Sequence, residues 1–170
     1  MTRSETVPHM GPDTGTSDSG WLTLAVRLAR ENVAAGGGPF GALVVRDGQL
    51  VSTGTNRVTL DHDPTAHAEV VAIREACRKL GTFDLTGCEL ISSCEPCPLC
   101  VSASLWARVD RVVYTADRYD AAKAGFDDLA FYDMLERPRA EWSMPVRVVS
   151  LPDSRSPFDA WLANAERVEY

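Results

Sequence analysis

Two short motifs contain the residues of this sequence that are best suited to chemistry. His67-Ala68-Glu69 comes first, and Pro96-Cys97-Pro98-Leu99-Cys100 follows later in the chain. Cysteines three positions apart at the start of a helix can direct two sulfurs at one ion, and the partial positive charge of a helix N-terminus favours their thiolate forms. With His67 as a nitrogen ligand, Cys97 and Cys100 predict a tetrahedral zinc site that keeps its fourth position open to water.

Glu69 lies two residues after the histidine and is not needed as a ligand. Its carboxylate can instead accept and return the proton of a water molecule, whose pKa a bound zinc ion lowers to about 7. The order H-x-E and then P-C-x-x-C is the signature of zinc-dependent nucleobase deaminases. This sequence resembles that class at every position of the signature: His67, Glu69, Pro96, Cys97 and Cys100. We therefore expect Glu69 to be the catalytic acid and base.

A purely structural zinc site is the alternative interpretation of these motifs. Cys94 could join the other three ligands in a closed set of three cysteines and one histidine, with no position for water. Glu69 would then be an ordinary solvated residue of a helix. The catalytic interpretation is favoured because a structural site requires neither the adjacent glutamate nor the Pro-Cys pair. We expect Cys94, at the end of a strand, to pack as a small buried hydrophobe.

Composition and charge limit which classes of protein and of partner fit this sequence. The chain has 170 residues, enough for one domain with its own core, and contains no apolar run of the roughly 18–20 residues that span a bilayer. Five cysteines, three of them crowded together without a secretion signal, predict metal binding and a cytoplasmic location. The net charge of −7 argues against a nucleic-acid partner, which is bound mainly by neutralising phosphates. We expect a small-molecule substrate and no membrane association.

Helices that alternate with strands are predicted to position the two motifs. Hydrophobic periodicity and turn residues predict helices at about 21–35, 66–80, 97–106, 127–135 and 157–167. Strands are predicted at 41–46, 49–53, 89–92, 111–115 and 146–151. This order predicts an α/β domain, a three-layer α/β/α sandwich with a mixed central sheet of about five strands and helices on both faces. It would occupy residues 21–170, after a disordered tail at 1–20 that is rich in Thr, Ser, Gly, Pro and Asp.

Beyond the motifs, the sequence resembles the bacterial guanine deaminases of the cytidine-deaminase superfamily. The resemblance covers nearly all of the chain after Trp21, in segments 37–42, 63–69, 93–100, 105–108, 120–122, 124–128 and 156–161. The segment A-G-F-D-D at 124–128 and the terminal Tyr170 separate guanine deaminases from the cytosine and tRNA-adenosine branches. The sequence departs from the pattern in its N-terminal extension, in Arg57 after Asn56, and in Leu60-Asp61-His62 before the first motif.

The resemblance implies a cytidine-deaminase-like fold, one zinc ion per chain, and the hydrolysis of guanine to xanthine and ammonia. It implies that Asn56 reads a carbonyl and a ring nitrogen of the base, for which an amide has the required acceptor and donors. Asp128 corresponds to the substrate-side aspartate, and Asp127 is expected to cap a helix, although the sequence alone allows the two to be exchanged. Phe40 and Trp106 would enclose the base by stacking, or would simply belong to the core.

The resemblance also implies a homodimer with a C-terminal segment swapped between subunits, so that Tyr170 reaches a purine site. Other substrates that the motifs allow are guanosine, cytosine, an aminated triazine and a tRNA adenosine. A zinc-stabilised binding module without catalysis is the alternative of a different class. Release of ammonia from guanine separates that module from a deaminase.

Overall fold

A computed structural model describes residues 17–170, so most of the predicted tail lies outside the described residues. Residues 18–20, which the sequence analysis assigned to the tail, form the first turn of a helix. Ser17 caps this helix, since its side chain accepts a hydrogen bond from the Gly20 N–H. The chain divides into two units, one that ends at Leu129 and one at Ala130–Tyr170. Over residues 17–170, no helix is long and apolar enough to cross a membrane.

The first unit contains the elements that position both motifs. Its elements, with a last helix that continues past Leu129, are α1 Asp18–Ala34, β1 Gly41–Arg46, β2 Gln49–Thr55, α2 Val58–Asp61, α3 Ala68–Leu80, β3 Cys88–Cys94, α4 Pro98–Trp106, β4 Arg111–Ala116, α5 Arg118–Lys123 and α6 Leu129–Leu135. The second unit contains a short 3-10 helix, Arg139–Glu141, and α7 Ser156–Ala163. The helices α2 and α5 were not predicted from the sequence, because four to six residues are too few to show a helical period.

The described strands form one mixed sheet in the order β2-β1-β3-β4. The strand β1 pairs antiparallel with β2 and with β3, whereas β3 and β4 are parallel. The prediction of a mixed α/β sheet is confirmed, but the expected number of about five strands is wrong, since the described sheet has four.

The segment 146–151 accounts for the missing strand. It has the alternating apolar residues of a strand, but in the described chain it pairs with no other strand, and Val148 is 91% exposed. Strand propensity depends on cross-strand and same-face packing, and this segment has neither here.

The two faces of the sheet are covered by different helices. On one face, Trp21 and Leu24 of α1 pack with Leu43, Val45 and Ile91. On the other face, apolar residues of α3 pack with the alternate sheet residues; this second cluster includes Ala68, Ala72, Ile73, Ala42, Val44 and Leu90. Alternate residues of a strand point to opposite faces, so each strand contributes to both clusters. This arrangement confirms the predicted three layers.

Gly54 of β2 allows α3 to lie close against the sheet at the end that carries the first motif. A Cβ atom at this position would lie 2.1 Å from the carbonyl oxygen of Ala68 and 2.5 Å from the amide nitrogen of Ala72. Both atoms belong to the backbone of the helix and cannot move aside separately. The missing side chain therefore sets how closely the start of α3 approaches β2.

Candidate active site

The predicted ligands lie at the starts of two neighbouring helices. His67 is the N-cap residue of α3 and Cys97 is the N-cap residue of α4, and both have extended backbone conformations. Neither side chain forms a capping hydrogen bond, so both can turn away from their helices. Pro98 occupies the start of α4, where its missing N–H costs no helical hydrogen bond. Cys100 follows within the first turn.

The three ligand atoms are spaced as zinc requires. The sulfurs of Cys97 and Cys100 lie 3.7 Å apart, and the Nδ1 atom of His67 lies 3.4 Å and 3.5 Å from them. Zinc bond lengths and a tetrahedral angle predict about 3.8 Å between two sulfurs and about 3.5 Å between sulfur and nitrogen. The donor set therefore fits a zinc ion that is coordinated by these three residues.

The charge state of Cys97 also suits a metal. A hydrogen bond from the Cys100 thiol, helped by one from His67, lowers the pKa of Cys97 to about 4 despite its burial. A thiolate is the form of cysteine that binds metals.

Cys94 differs, because burial and the nearby charge of Glu69 raise its pKa to about 11. Its thiol faces the carbonyl oxygen of Asp117 at 3.6 Å. Within residues 17–170, the structure brings three possible ligands close enough to share one metal ion: His67, Cys97 and Cys100. Cys94 is not a member of this group, so the group is not the closed four-ligand set.

Glu69 is placed beside the ligands but is not one of them. It is the second residue of α3 and is only 5% exposed. Burial raises the pKa of its carboxyl group. The hydroxyl of Ser92, on β3, lies 3.2 Å from its Oε1 atom. This contact was not anticipated from the sequence, where Ser92 is one serine in a mostly apolar strand.

Asn56 directly follows the last residue of β2 and is buried. Its N–H donates to the carbonyl of Phe40, and its Oδ1 accepts from the N–H of Val58 at 3.3 Å. The side chain of Asn32, from α1, donates to the carbonyls of Asn56 and Gly38, both at 2.8 Å. Asn32 was also missed by the sequence analysis, since nothing in its helical pattern indicates a contact with another segment.

A salt bridge holds the loop between β3 and α4. The side chain of Arg118 donates to Glu95, the residue before the Pro-Cys pair, and the Arg118 N–H donates to the same carboxylate at 3.1 Å. Glu95 in turn donates its own N–H to the carbonyl of Ala116. These hydrogen bonds connect the loop before Cys97 to α5, through Arg118, and to β4, through Ala116.

Asp128 and Phe40, which are also predicted as substrate-binding residues, lie in the first unit. Burial, with the negative charge of Cys97, raises the pKa of the Asp128 carboxyl group. Its Oδ1 atom is buried and has no hydrogen-bond partner among residues 17–170, whereas Asp127 is exposed. The ring of Phe40 packs edge-to-face against Phe126, with centroids 4.7 Å apart.

Trp106 and Tyr170 lie elsewhere in the chain. Trp106 is the last residue of α4 and is 63% exposed. It lies six positions after Cys100, which corresponds to about 9 Å along the helix axis. Tyr170 belongs to the second unit, where its ring packs edge-to-face against Trp161 with centroids 6.3 Å apart. Within one chain, the structure therefore does not place Trp106 with the ligands.

Comparison with known proteins assigns the site to a family. Residues 16–116 match the family model described as the cytidine and deoxycytidylate deaminase zinc-binding region. The chain belongs to this family. The matched residues include His67, Glu69, Cys97 and Cys100, so the deaminase family confirms the prediction of a zinc cofactor.

Individual members of the family differ in their similarity to this chain. The guanine deaminase of Bacillus subtilis is 50% identical over 88% of this chain and 97% of its own length. Its crystal structure aligns with a TM-score of 0.86 and 48% identity, over 95% of this chain and 99% of that chain. The tRNA-specific adenosine deaminase of Aquifex aeolicus is 37% identical over 72% of this chain and 81% of its own length.

Two solved structures of a further protein contain purine analogues. One is a complex with 2,6-diaminopurine and the other, of a variant, is a complex with 8-azaguanine. Each aligns with a TM-score of 0.65 and 38% identity over 66% of this chain, and over 64% and 67% of the two neighbour chains.

Proposed function

We propose that this protein is a zinc-dependent guanine deaminase that converts guanine and water to xanthine and ammonia. One observation carries the proposal: a buried glutamate lies beside a three-ligand zinc site in a chain that is 50% identical to a guanine deaminase over almost all of that enzyme. A metal site with three protein ligands is the arrangement of catalytic zinc, whereas structural sites have four.

His67, Cys97 and Cys100 would hold the ion, and zinc bound there supplies the Lewis acidity that makes water a nucleophile near neutral pH. Glu69 takes a proton from the attacking water and delivers it to a ring nitrogen of the base. A C–O bond forms at the ring carbon that carries the exocyclic amine. Glu69 then takes the remaining proton of the added hydroxyl group and passes it to that amine. The C–N bond breaks as the C=O bond of xanthine forms, and ammonia leaves.

Asn56 and Asp128 provide the polar groups that would orient guanine. The Oδ1 atom of Asn56 is occupied by a backbone N–H, so its Nδ2 group is the part of the amide that would donate to a guanine acceptor. The buried Oδ1 atom of Asp128 has no donor in the described chain, and an N–H group of guanine would supply one. Phe40, packed on Phe126, would bound the plane of the base.

The proposal includes a homodimer in which the C-terminal segment crosses to the partner subunit. Its support is the apolar surface of the second unit, where Val148, Val149, Phe158, Leu162 and Tyr170 are all exposed. Large apolar side chains that one chain leaves exposed are commonly covered at a protein interface. Tyr170 would then close the partner's purine site, and Trp106 would take part in enclosing the base in the assembled dimer. We place the enzyme in the cytoplasm, where its five free cysteines would remain reduced.

The test is a measurement of ammonia release from a panel of substrates. Guanine should be turned over faster than guanosine, adenine, cytosine, an aminated triazine or a tRNA that contains a wobble adenosine. Removal of zinc with a chelator should abolish the activity, and added zinc should restore it. Preference for guanosine would show that the site admits a ribose and would contradict the free-base assignment. Release of ammonia from the tRNA alone would favour the function of the Aquifex aeolicus relative.

A further inference from the structure

Ser92 makes a buried contact with the carboxylate that the proposed reaction uses. It lies on β3 and is 1% exposed, and its hydroxyl oxygen lies 3.2 Å from the Oε1 atom of Glu69. The two residues come from different elements, since Glu69 is on α3. The contact therefore exists only because the sheet and the helix pack against each other.

Strand geometry explains why Ser92 reaches the glutamate and its neighbour does not. Alternate residues of β3 face opposite sides of the sheet. Leu90 belongs to the cluster beneath α3, while Ile91 belongs to the cluster beneath α1. Ser92 continues the row that contains Leu90, and Ser93 faces the other side, where its hydroxyl accepts from the N–H of Gly41. Ser92 is thus a polar residue in the row that faces α3, and Glu69 is its partner there.

The direction of this hydrogen bond follows from the other contacts of Ser92. The N–H of Cys94 donates to the Ser92 hydroxyl oxygen at 3.4 Å, so a lone pair of that oxygen already has a partner. A hydroxyl group has one proton to donate, and the Oε1 atom of Glu69 is the acceptor within reach. The hydroxyl proton of Ser92 is therefore directed at Glu69, and the backbone of β3 fixes the orientation of the hydroxyl group.

We infer that Ser92 is a positioning residue that holds the Glu69 carboxylate in line for proton transfer. The inference rests on the proposed function, because the transfer in question is the one between water and the purine. A carboxylate that shuttles a proton must stay within hydrogen-bond reach of both partners, and a side chain is held to that geometry by neighbours that lock its rotamer. One oxygen of Glu69 is anchored by Ser92, so rotation of the carboxylate is restricted.

A matched pair of variants isolates the hydroxyl group. Ser92→Thr keeps the hydroxyl and Ser92→Val replaces it with a methyl group of similar size, so both add the same bulk. We expect Ser92→Val to lower kcat for guanine about 10- to 100-fold relative to Ser92→Thr, the range for losing a group that orients a reacting side chain. KM should agree within about twofold, because the lost interaction acts on the transition state and not on substrate binding. If the valine variant does not fold, Ser92→Ala provides a second variant without the hydroxyl.

Ser52 provides the structural control. It is also 1% exposed, and its hydroxyl also donates to α3, in this case to the carbonyl of Ala72 at 2.7 Å. Ser52→Val should lower the melting temperature but leave kcat close to that of the unmodified protein. Zinc content and the Kd of xanthine should be unchanged in every variant, which shows that the metal site and the purine site are intact.

The results separate this inference from the proposed function. If the unmodified protein converts guanine but the valine and threonine variants share one kcat, Ser92 does not position Glu69 and the proposed function stands. If Ser52→Val loses kcat as much as Ser92→Val does, the role of Ser92 is structural and the inference is wrong. If the unmodified protein releases no ammonia from guanine, both the proposed function and the inference are overturned.

Discussion

Cys94 and Cys97 lie three positions apart, yet their thiols contact different groups. Cys97 lies with His67 and Cys100 at ligand spacing, whereas Cys94 faces the carbonyl of Asp117. The difference arises because Cys94 ends a strand and Cys97 begins a helix. Position in the fold, and not the spacing of the cysteines alone, therefore decides which of them can bind the ion.

Replacement of these cysteines tests the three-ligand site. Cys94→Ser should keep about one zinc per chain, because serine can still donate to Asp117 and the ligand set is unchanged. Cys97→Ser should lose the metal, since it removes a thiolate ligand. Metal analysis of the purified variants provides the measurement. Loss of zinc from the Cys94 variant would instead support the closed structural site.

Replacement of Glu69 tests its role in proton transfer. Glu69→Gln should retain zinc and fold but lose at least ~100-fold in kcat, the lower range for general acid–base catalysis. The amide keeps the size of the side chain and can still accept from Ser92, so the change removes mainly the ability to carry a proton. Steady-state kinetics with a zinc assay measures both properties, and near-normal turnover would remove Glu69 from the mechanism.

Single residues were predictable from the sequence where a motif carries them. The H-x-E and P-C-x-x-C patterns predicted the three residues that the structure brings together as a possible metal site, because local spacing at helix starts fixes their positions. The catalytic role of Glu69 stays a prediction. Ser92 and Asn32 could not be found in this way. Each is defined by a partner on another element, Glu69 on α3 and Asn56 at the end of β2, and the sequence does not show which elements will meet.

At the scale of elements, the helices and strands that cover or form the core were predictable from their periodicity. The helix α1 contributes Trp21 and Leu24 to one core cluster, and α3 contributes Ala72 and Ala76 to the other, as helical spacing requires. The segment 146–151 shows where this reasoning fails. Its alternation is that of a strand, but a strand also needs a neighbour to pair with, and alternation does not supply that neighbour.

The close approach of α3 to β2 can be tested at Gly54. Gly54→Ala would place a Cβ atom against the backbone of α3, so we expect a loss of about 1–3 kcal/mol or more in the free energy of unfolding. The start of α3 should also shift, which would weaken zinc binding through His67. Denaturant unfolding and a competition assay with a chelator measure the two effects. Thr53→Ala, on the same strand, is the control and should change neither greatly.

At the scale of the whole molecule, charge and similarity agree on a small substrate. The chain carries 17 Lys and Arg against 24 Asp and Glu. The cations of the densest basic stretch are engaged by acidic neighbours, since Arg74 pairs with Asp63, and Arg78 and Lys79 pair with Glu75. All three cations lie on the exposed face of α3. A purine base does not need such charges, whereas a tRNA is bound mainly through its phosphates.

The proposed swapped dimer leads to a complementation experiment on the assembled molecule. A chain that lacks Tyr170 should turn over guanine poorly because the partner's site stays open, and a Glu69→Gln chain should be inactive for lack of its proton carrier. In a mixed dimer, the truncated chain supplies Glu69 and the other chain supplies Tyr170 to the same site. Equal amounts of the two variants are unfolded and refolded together with zinc. The mixture should recover about one quarter of the unmodified activity, because half of the dimers are mixed and each mixed dimer has one complete site out of two.

The control is each variant refolded alone, which should recover only its own residual activity. If Tyr170 instead acts within its own chain, no mixed dimer gains a complete site by exchange of C-terminal segments. The activity of the mixture would then be the average of the two variants. Activity well above that average therefore requires that the C-terminus of one subunit complete the site of the other. Activity equal to the average would contradict the swap and would leave guanine deamination intact.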